Sequence, residues 1–134
     1  MTLIVCLDNK NGLAFCGRRQ STDSEVLSDI VKTAETHTLW MNEYSARQFA
    51  DVPVNAHDDF LSKAGENDFC FLETDDITPY MDKISALILY RWNRDYPSDL
   101  RFPLALIVGG LNPQEVCEFS GTSHSKITKE VYVL

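Results

Sequence analysis

Residues 3–7, Leu3-Ile4-Val5-Cys6-Leu7, form an unbroken apolar run of strand length, and a strand that is apolar on both sides needs cover on both sides. A chain that opens this way is committed to a sheet held between other layers. Turn chemistry follows at Asp8-Asn9-Lys10-Asn11-Gly12, and Gly17-Arg18-Arg19-Gln20-Ser21-Thr22-Asp23 carries two adjacent cations to a helix N-terminus. Val26, Leu27, Ile30, Val31 and Ala34 then recur at helical spacing, with Thr22-x-x-Glu25 in the form of a capping box.

The rest of the chain alternates in the same way. Thr38 to Met41 reads as a second strand, Glu43 to Ala50 as a short helix, and Pro53 with Asn55 as a break. Asp58 to Ala64 predicts one or two helical turns closed by Gly65 as a left-handed cap. Phe69-Cys70-Phe71-Leu72 is another buried strand, followed by the acidic loop Glu73-Thr74-Asp75-Asp76 and a short helix opened by Thr78-Pro79. Leu87 to Tyr90 is a strand that runs on toward Arg91 and Trp92, while Leu104 to Leu111 has no evident period and reads as an irregular link. Gln114 to Phe119 and Ile127 to Val133 alternate as two half-buried strands around Ser120-Gly121-Thr122-Ser123-His124, a hairpin signature. Strands that alternate with helices and finish as a hairpin predict a single α/β domain over residues 1–134, with a mixed, mostly parallel sheet and an antiparallel edge.

Charge narrows the function classes. Twelve Lys and Arg against twenty Asp and Glu leave a net charge of −8, which opposes binding to a phosphate backbone and disfavours nucleic acid. The opening residues lack the charged leader and cleavage site of a secretory signal, and no apolar run approaches the ~18 residues of a spanning helix, so a cytoplasmic location without membrane contact is expected. Cys6, Cys16, Cys70 and Cys117 show no C-x-x-C pair and no ligand spacing with His37, His57 or His124. No metal or other cofactor is expected. Three of the four thiols lie in strand-like segments and read as buried, and Cys16 reads as a loop thiol beside the arginines.

The strongest local candidate for binding is Arg18, Arg19, Gln20, Ser21 and Thr22, because cations and hydroxyls beside a helix N-terminus offer charge-assisted donors to an anion. The competing reading pairs both arginines with the chain's own carboxylates. Trp92, Arg91, Arg94 and Tyr96 could stack as a cation–π platform or simply pack. Ser123-His124-Ser125 lacks an identifiable orienting acid and reads as a polar hairpin loop. Asp58-Asp59 and Asp75-Asp76 read as solvated carboxylates.

Several stretches in this order resemble dihydrofolate reductase. Leu3 to Asp8 with Asn11-Gly12 is similar to that family's first strand and the start of its active-site loop, and Leu39-Trp40-Met41 with Glu43 to Phe49 to its second strand and cofactor-side helix. Tyr80 through Tyr90 and Asp99-Leu100-Arg101-Phe102-Pro103 are similar to its later strand and D-x-x-F-P element, and His124 to Tyr132 to its closing strand. The resemblance implies a dihydrofolate reductase-like three-layer sandwich. The family's ligand contacts are missing from the matching positions. Val26 stands where the resemblance places the pterin-binding carboxylate, with Asp23 and Glu25 as nearby substitutes. Leu72 to Asp76 replaces the glycine-rich phosphate turn, Glu43 replaces a basic residue, and no arginine lies between Phe49 and Phe71. The segment from Ala50 to Asp68 is expected to be a shortened form of the adenosine-binding portion.

The Arg18-Arg19-Gln20-Ser21 segment and the run Tyr90 to Pro97 also resemble small bacterial proteins that sometimes carry a ribonuclease Z label. That nuclease needs an H-x-H-x-D-H metal cluster, and three isolated histidines do not supply it. The expectation is therefore a non-catalytic binding or regulatory protein, with a small anionic ligand or a protein partner at Gly17–Asp23 and homodimerisation as a further option. A diverged NAD(P)H-dependent reductase is the alternative, and a hydrolase or ribonuclease the remote one.

Overall fold

The structure is a computed structural model that describes residues 1–134. In chain order its elements are β1 (Thr2–Leu7), β2 (Gly12–Phe15), β3 (Arg18–Arg19), α1 (Ser24–Thr33), β4 (Leu39–Met41), α2 (Glu43–Ala46), β5 (Asn55–Ala56), α3 (Phe60–Lys63), β6 (Phe69–Leu72), β7 (Ala86–Arg91), β8 (Leu100–Arg101), α4 (Leu104–Val108), β9 (Glu115–Phe119) and β10 (Ile127–Val133). Short 3-10 segments lie at Arg47–Phe49 and Thr78–Lys83.

Seven strands form one sheet in the order β5-β4-β6-β1-β7-β10-β9. The pairs from β5 to β7 are parallel, and β10 pairs antiparallel with both β7 and β9. Side chains alternate across β1, so Leu3, Val5 and Leu7 point into one core and Ile4 and Cys6 into the other. The first core packs against Phe60 and Leu61 of α3, Ile77 and Ile84, and Leu104 and Val108 of α4. The second packs against Val26 and Ile30 of α1 and against Phe49. The result is the expected three-layer α/β sandwich, and β1 is its buried middle. A small second sheet, in the order β3-β2-β8, stands over the carboxyl ends of the central strands.

Several local expectations change. The helix cap is Asp23 rather than Thr22: the Glu25 N–H donates to the Asp23 carboxylate, while Thr22 donates to Gln48. Gly65 does not close α3 in a left-handed conformation, since that helix ends at Ala64 with extended backbone (φ −62°, ψ 136°) and Gly65 N–H binds the Asp68 carboxylate. Residues 104–108 are a helix, not an irregular link. Leu104 and Val108 face the core one turn apart, Gly109 ends the helix at φ 57°, and five residues are too few to display a period. The last hairpin forms as expected, but β9 is exposed along Glu115–Glu118 instead of half-buried, and Cys117 is exposed with it. No helix is long and apolar enough to cross a membrane.

Candidate functional site

In open α/β sheets, ligands enter at the carboxyl ends of the parallel strands. Three adjacent central strands of this sheet end there, and the next residue of each is buried: Asp8 after β1, Glu73 after β6 and Trp92 after β7. Around each residue a network closes.

Asp8 makes the first. One carboxylate oxygen accepts the backbone N–H groups of Lys10 and Gly12 at 2.8 Å each, which folds residues 8–12 back on β1, with Asn11 at φ 61°. The other accepts the Gln20 amide at 3.1 Å and the Tyr96 N–H at 3.2 Å. Burial opposes ionisation of Asp8, but these donors outweigh it and hold its carboxyl below the ordinary range. A side chain on Gly12 would run into Gln20, Ser98 and Asp8 itself, so only glycine lets the loop lie this close.

Beyond that turn, β2 and β3 form a hairpin in which Phe15 pairs with Arg18. Its two-residue turn is Cys16-Gly17, both left-handed at φ 52° and 71°, the combination that suits the twist of a tight hairpin. The Cys16 N–H is held by the Asp99 carboxylate at 3.1 Å. Phe15, Cys16 and Arg18 at this tip are exposed.

Arg19 turns inward and builds the second network. Its Nε lies 3.0 Å from the Glu73 carboxylate, its guanidinium stacks 4.2 Å from the centre of the Tyr44 ring, and its N–H donates to the Tyr44 hydroxyl. Ser45 and Gln48 also donate to Glu73, at 2.8 and 2.9 Å. Burial still dominates over these partners and raises the Glu73 carboxyl above its ordinary value. The space left between Cys6, Leu13, Arg19, Ser21, Glu73 and Trp92 is about 10 Å³, room for one water molecule at most.

The third network joins Asp23 to the loop between β9 and β10. Seven donors converge on this one carboxylate: the N–H groups of Glu25, Thr122, Ser123 and His124, the hydroxyls of Thr122 and Ser123, and Nδ1 of His124 at 3.0 Å. Burial opposes its ionisation, yet the donors prevail and hold the Asp23 carboxyl far below the usual carboxylate range. Because a carboxylate only accepts, Nδ1 of His124 carries a hydrogen toward Asp23, and two hydroxyls lie within hydrogen-bond reach of Nε2. Tyr96 offers one at 2.8 Å and Ser21 another at 3.2 Å. The Trp92 ring stacks 4.5 Å from the imidazole.

The expected site residues are thus brought together, but most face inward. Arg19, Gln20, Ser21 and Thr22 bind Glu73, Asp8, His124 and Gln48 respectively, and Arg18 alone keeps an exposed charge at the hairpin tip. Asp23 is buried as a clasp, Glu25 is exposed, and Val26 is core. The orienting acid that the sequence did not reveal for His124 is Asp23, 101 residues away. Ser123 serves that acid through its N–H, while its one hydroxyl hydrogen is shared between the acid and the Thr22 carbonyl. Of the proposed stacking platform, Arg91 pairs with Glu130, while Trp92 and Tyr96 enclose His124. Asp58, Asp75 and Asp76 bind the Glu43 N–H, the Asn42 amide and Thr78. No three His, Cys, Asp or Glu side chains gather as metal ligands.

Asp8 and Glu73 were not anticipated as anchors. The signal was present: each is a carboxylate placed directly after a fully apolar central strand. Larger hollows lie outside these networks, along the outer side of α1. The nearer, about 560 Å³, has Leu27, Val31, Phe49 and Val52 as its apolar floor and shares Gln48 with the Glu73 network but none of its titratable groups.

Among solved structures, the chain is similar to a dihydrofolate reductase from Enterococcus faecalis complexed with NADP(H) and RAB-propyl. The TM-score is 0.67 at 11% sequence identity, over 98% of this chain and 94% of that chain. No family model matches the chain, and no curated protein matches it. What the likeness establishes is the fold: a dihydrofolate reductase-like three-layer α/β sandwich, its sheet mixed and mostly parallel with antiparallel C-terminal strands.

Proposed function

We propose that this chain is a non-catalytic binding protein on a dihydrofolate reductase-like scaffold, and that it meets a protein partner through the hairpin at the head of the Gly17–Asp23 segment. One observation carries the reading: the strand-end crevice, where a scaffold of this kind would admit a ligand, is filled by the chain's own Arg19–Glu73 pair and leaves about 10 Å³. Small-molecule sites occupy ~300–1,000 Å³.

The hairpin tip supports the second half of the proposal. Phe15 is 45% exposed beside the exposed Cys16 and Arg18, and the left-handed backbone of Cys16 costs about 1 kcal/mol that the Asp99 contact offsets. An apolar ring and one free cation on a protruding turn suit an acidic and partly apolar protein surface. They do not enclose a small anion, because Arg19, Gln20, Ser21 and Thr22 are already engaged.

The reductase alternative needs room for a nicotinamide where the ion pair stands. The hydrolase alternative has a specific observation behind it, the order Asp23, His124, Ser21, which is that of a catalytic triad. Tyr96 lies closer to Nε2 than Ser21 does, and His124 is only 3% exposed, an arrangement that suits a clasp better than a base.

The test places p-benzoylphenylalanine at position 15 in the producing cell and cross-links by light, beside thermal shifts with phosphate, folates and NADPH. A discrete adduct that disappears with Arg18→Glu is the expected result. A ligand at ~100 times its dissociation constant adds about 2.7 kcal/mol of stability. A shift of that size with phosphate that Arg18→Ala abolishes would move the site to a small anion, and one with NADPH would overturn the reading.

A further inference from the structure

Of the chain's asparagines, only Asn11 precedes a glycine. An Asn-Gly pair is chemically labile in water. Glycine has no Cβ to hinder ring closure, so its backbone nitrogen attacks the asparagine side chain, expels ammonia and leaves a succinimide that water opens to aspartate or isoaspartate. The fold places this pair in the loop that Asp8 draws back on β1, and it ties the loop down on several sides. The Asn11 N–H donates to the Asp8 carbonyl at 3.2 Å, the Asn11 carbonyl accepts from the Phe102 N–H at 2.9 Å, and the Asn11 side-chain oxygen accepts from Arg91 at 3.1 Å. Gly12 is buried, and its N–H, on the nitrogen that attacks, donates to the Asp8 carboxylate at 2.8 Å.

Conformation decides whether the reaction starts. The five-membered ring needs the Gly12 nitrogen on the same side of the Asn11 Cα–C bond as Cβ. Asn11 is left-handed, at φ 61°, and in that region ψ lies at about +30 to +60°. This rotation carries the Gly12 nitrogen to the far side of the bond, away from the side-chain carbon. We propose that Asn11-Gly12 is a latent self-modification site, which the Asp8 clasp holds in a conformation that does not cyclise and which opening of residues 8–12 releases. In the reaction the Gly12 nitrogen gives its proton to solvent and bonds to Asn11 Cγ, the bond from Cγ to the side-chain nitrogen breaks, and ammonia leaves. Hydrolysis of the ring then consumes one water, and nothing is oxidised or reduced. The two products differ in consequence. Aspartate keeps an acceptor for Arg91. Isoaspartate lengthens the main chain by a methylene inside a loop whose ends are matched to each other, Asp8 N–H to the Gly12 carbonyl and Gly12 N–H to the Asp8 carboxylate, so those bonds cannot all be remade. Asp8 also holds Gln20 and Tyr96, and the change therefore reaches the segment that anchors the hairpin.

Peptide mass mapping, with isoaspartyl methyltransferase labelling, follows Asn11 in the folded protein and in the urea-unfolded chain at the same mildly alkaline pH. Reaction through an open fraction makes the folded protein slower by at least about tenfold, and in the unfolded chain Asn11 should react before every other asparagine. Asp8→Ala removes the acceptor of the Gly12 N–H and should bring the folded rate close to the unfolded one. Arg91→Met frees only the Asn11 side chain and should leave the folded rate slow. Circular dichroism confirms that the variants fold, and if Asp8→Ala does not, the folded and unfolded rates of the parent and of Arg91→Met decide. Equal rates in the folded and unfolded parent, a folded Asp8→Ala as slow as the parent, or a folded Arg91→Met as fast as the unfolded chain would overturn the proposal.

Discussion

Replacing Asp23 by asparagine keeps the side chain's size and removes its charge. Four backbone N–H groups point at the carboxylate, two at each oxygen: those of Glu25 and Thr122 at one, those of Ser123 and His124 at the other. Whichever way an asparagine turns, its NH₂ faces two of these donors, which are part-buried except for the buried N–H of His124. Each unsatisfied donor costs about 1–3 kcal/mol, so Asp23→Asn should lose roughly 4 kcal/mol from a domain whose total stability is on the order of 7–20 kcal/mol. In melting temperature that is a drop of about 10–15 °C. The pH dependence gives an independent signature. The folded carboxyl titrates far below its unfolded value, so the unfolded chain takes up the proton first. The stability contributed by Asp23 is therefore complete above about pH 4 and is lost as pH falls below it, by roughly 1 kcal/mol at pH 3. Urea denaturation followed by circular dichroism at pH 7, 5 and 3 measures both effects. A variant within 1 kcal/mol of the parent at pH 7, or a difference that stays constant down to pH 3, would refute the reasoning.

Arg19→Met leaves Glu73 buried without its cation and should cost about 2–4 kcal/mol, the low end reflecting the partial exposure of Arg19; the double variant with Glu73→Gln should recover most of it in the same denaturation assay. Because burial raises the Glu73 carboxyl, its ionisation removes stability as pH climbs above about 4.3, the opposite sign to Asp23, and the double variant should lose that part of the slope. Gly121→Ala would drive a methyl group into the Asp23 carboxylate and to 2.9 Å from the His124 carbonyl, and should lower stability by about 2–3 kcal/mol in a thermal melt. Titration with a thiol reagent should find Cys16 and Cys117 reactive in the folded protein and Cys6 and Cys70 silent until it unfolds, since burial pushes the Cys70 thiol up to about 12.

The layers of this fold are written in local patterns. The run Leu3 to Leu7 is apolar at every position because β1 has a core on each side, and the 3.6-residue spacing from Val26 to Ala34 is the face that α1 buries. The small sheet left less trace, since β3 and β8 are two residues each and β2 is four, too short for alternation to register. α4 escaped for the same reason. The exposure of β9 escaped because an edge strand keeps the alternation of a half-buried one, and what covers a face is a property of the whole fold. At the candidate site, the residues of the Gly17–Asp23 segment were legible but their directions were not. Adjacent arginines look alike in sequence, and only the arrival of Glu73 from a strand 54 residues away separates the half-buried Arg19 from the exposed Arg18. The acid for His124 was hidden likewise, because the hairpin loop and the α1 cap meet only once the sheet is assembled.

The networks have a common consequence. Asp8, Glu73 and Asp23 anchor the segment from the first turn to α1 onto three different parts of the molecule, and each is fully occupied in doing so. The crevice is closed by side chains that would have to break the Arg19–Glu73 ion pair to admit a ring. Titration calorimetry of the protein with NADPH up to millimolar concentration, with dihydrofolate turnover followed in the same samples, tests this most directly. The closed crevice predicts no heat of binding and no oxidation of NADPH. Saturable binding at that concentration, or dihydrofolate reduction that Arg19→Met alters, would contradict it.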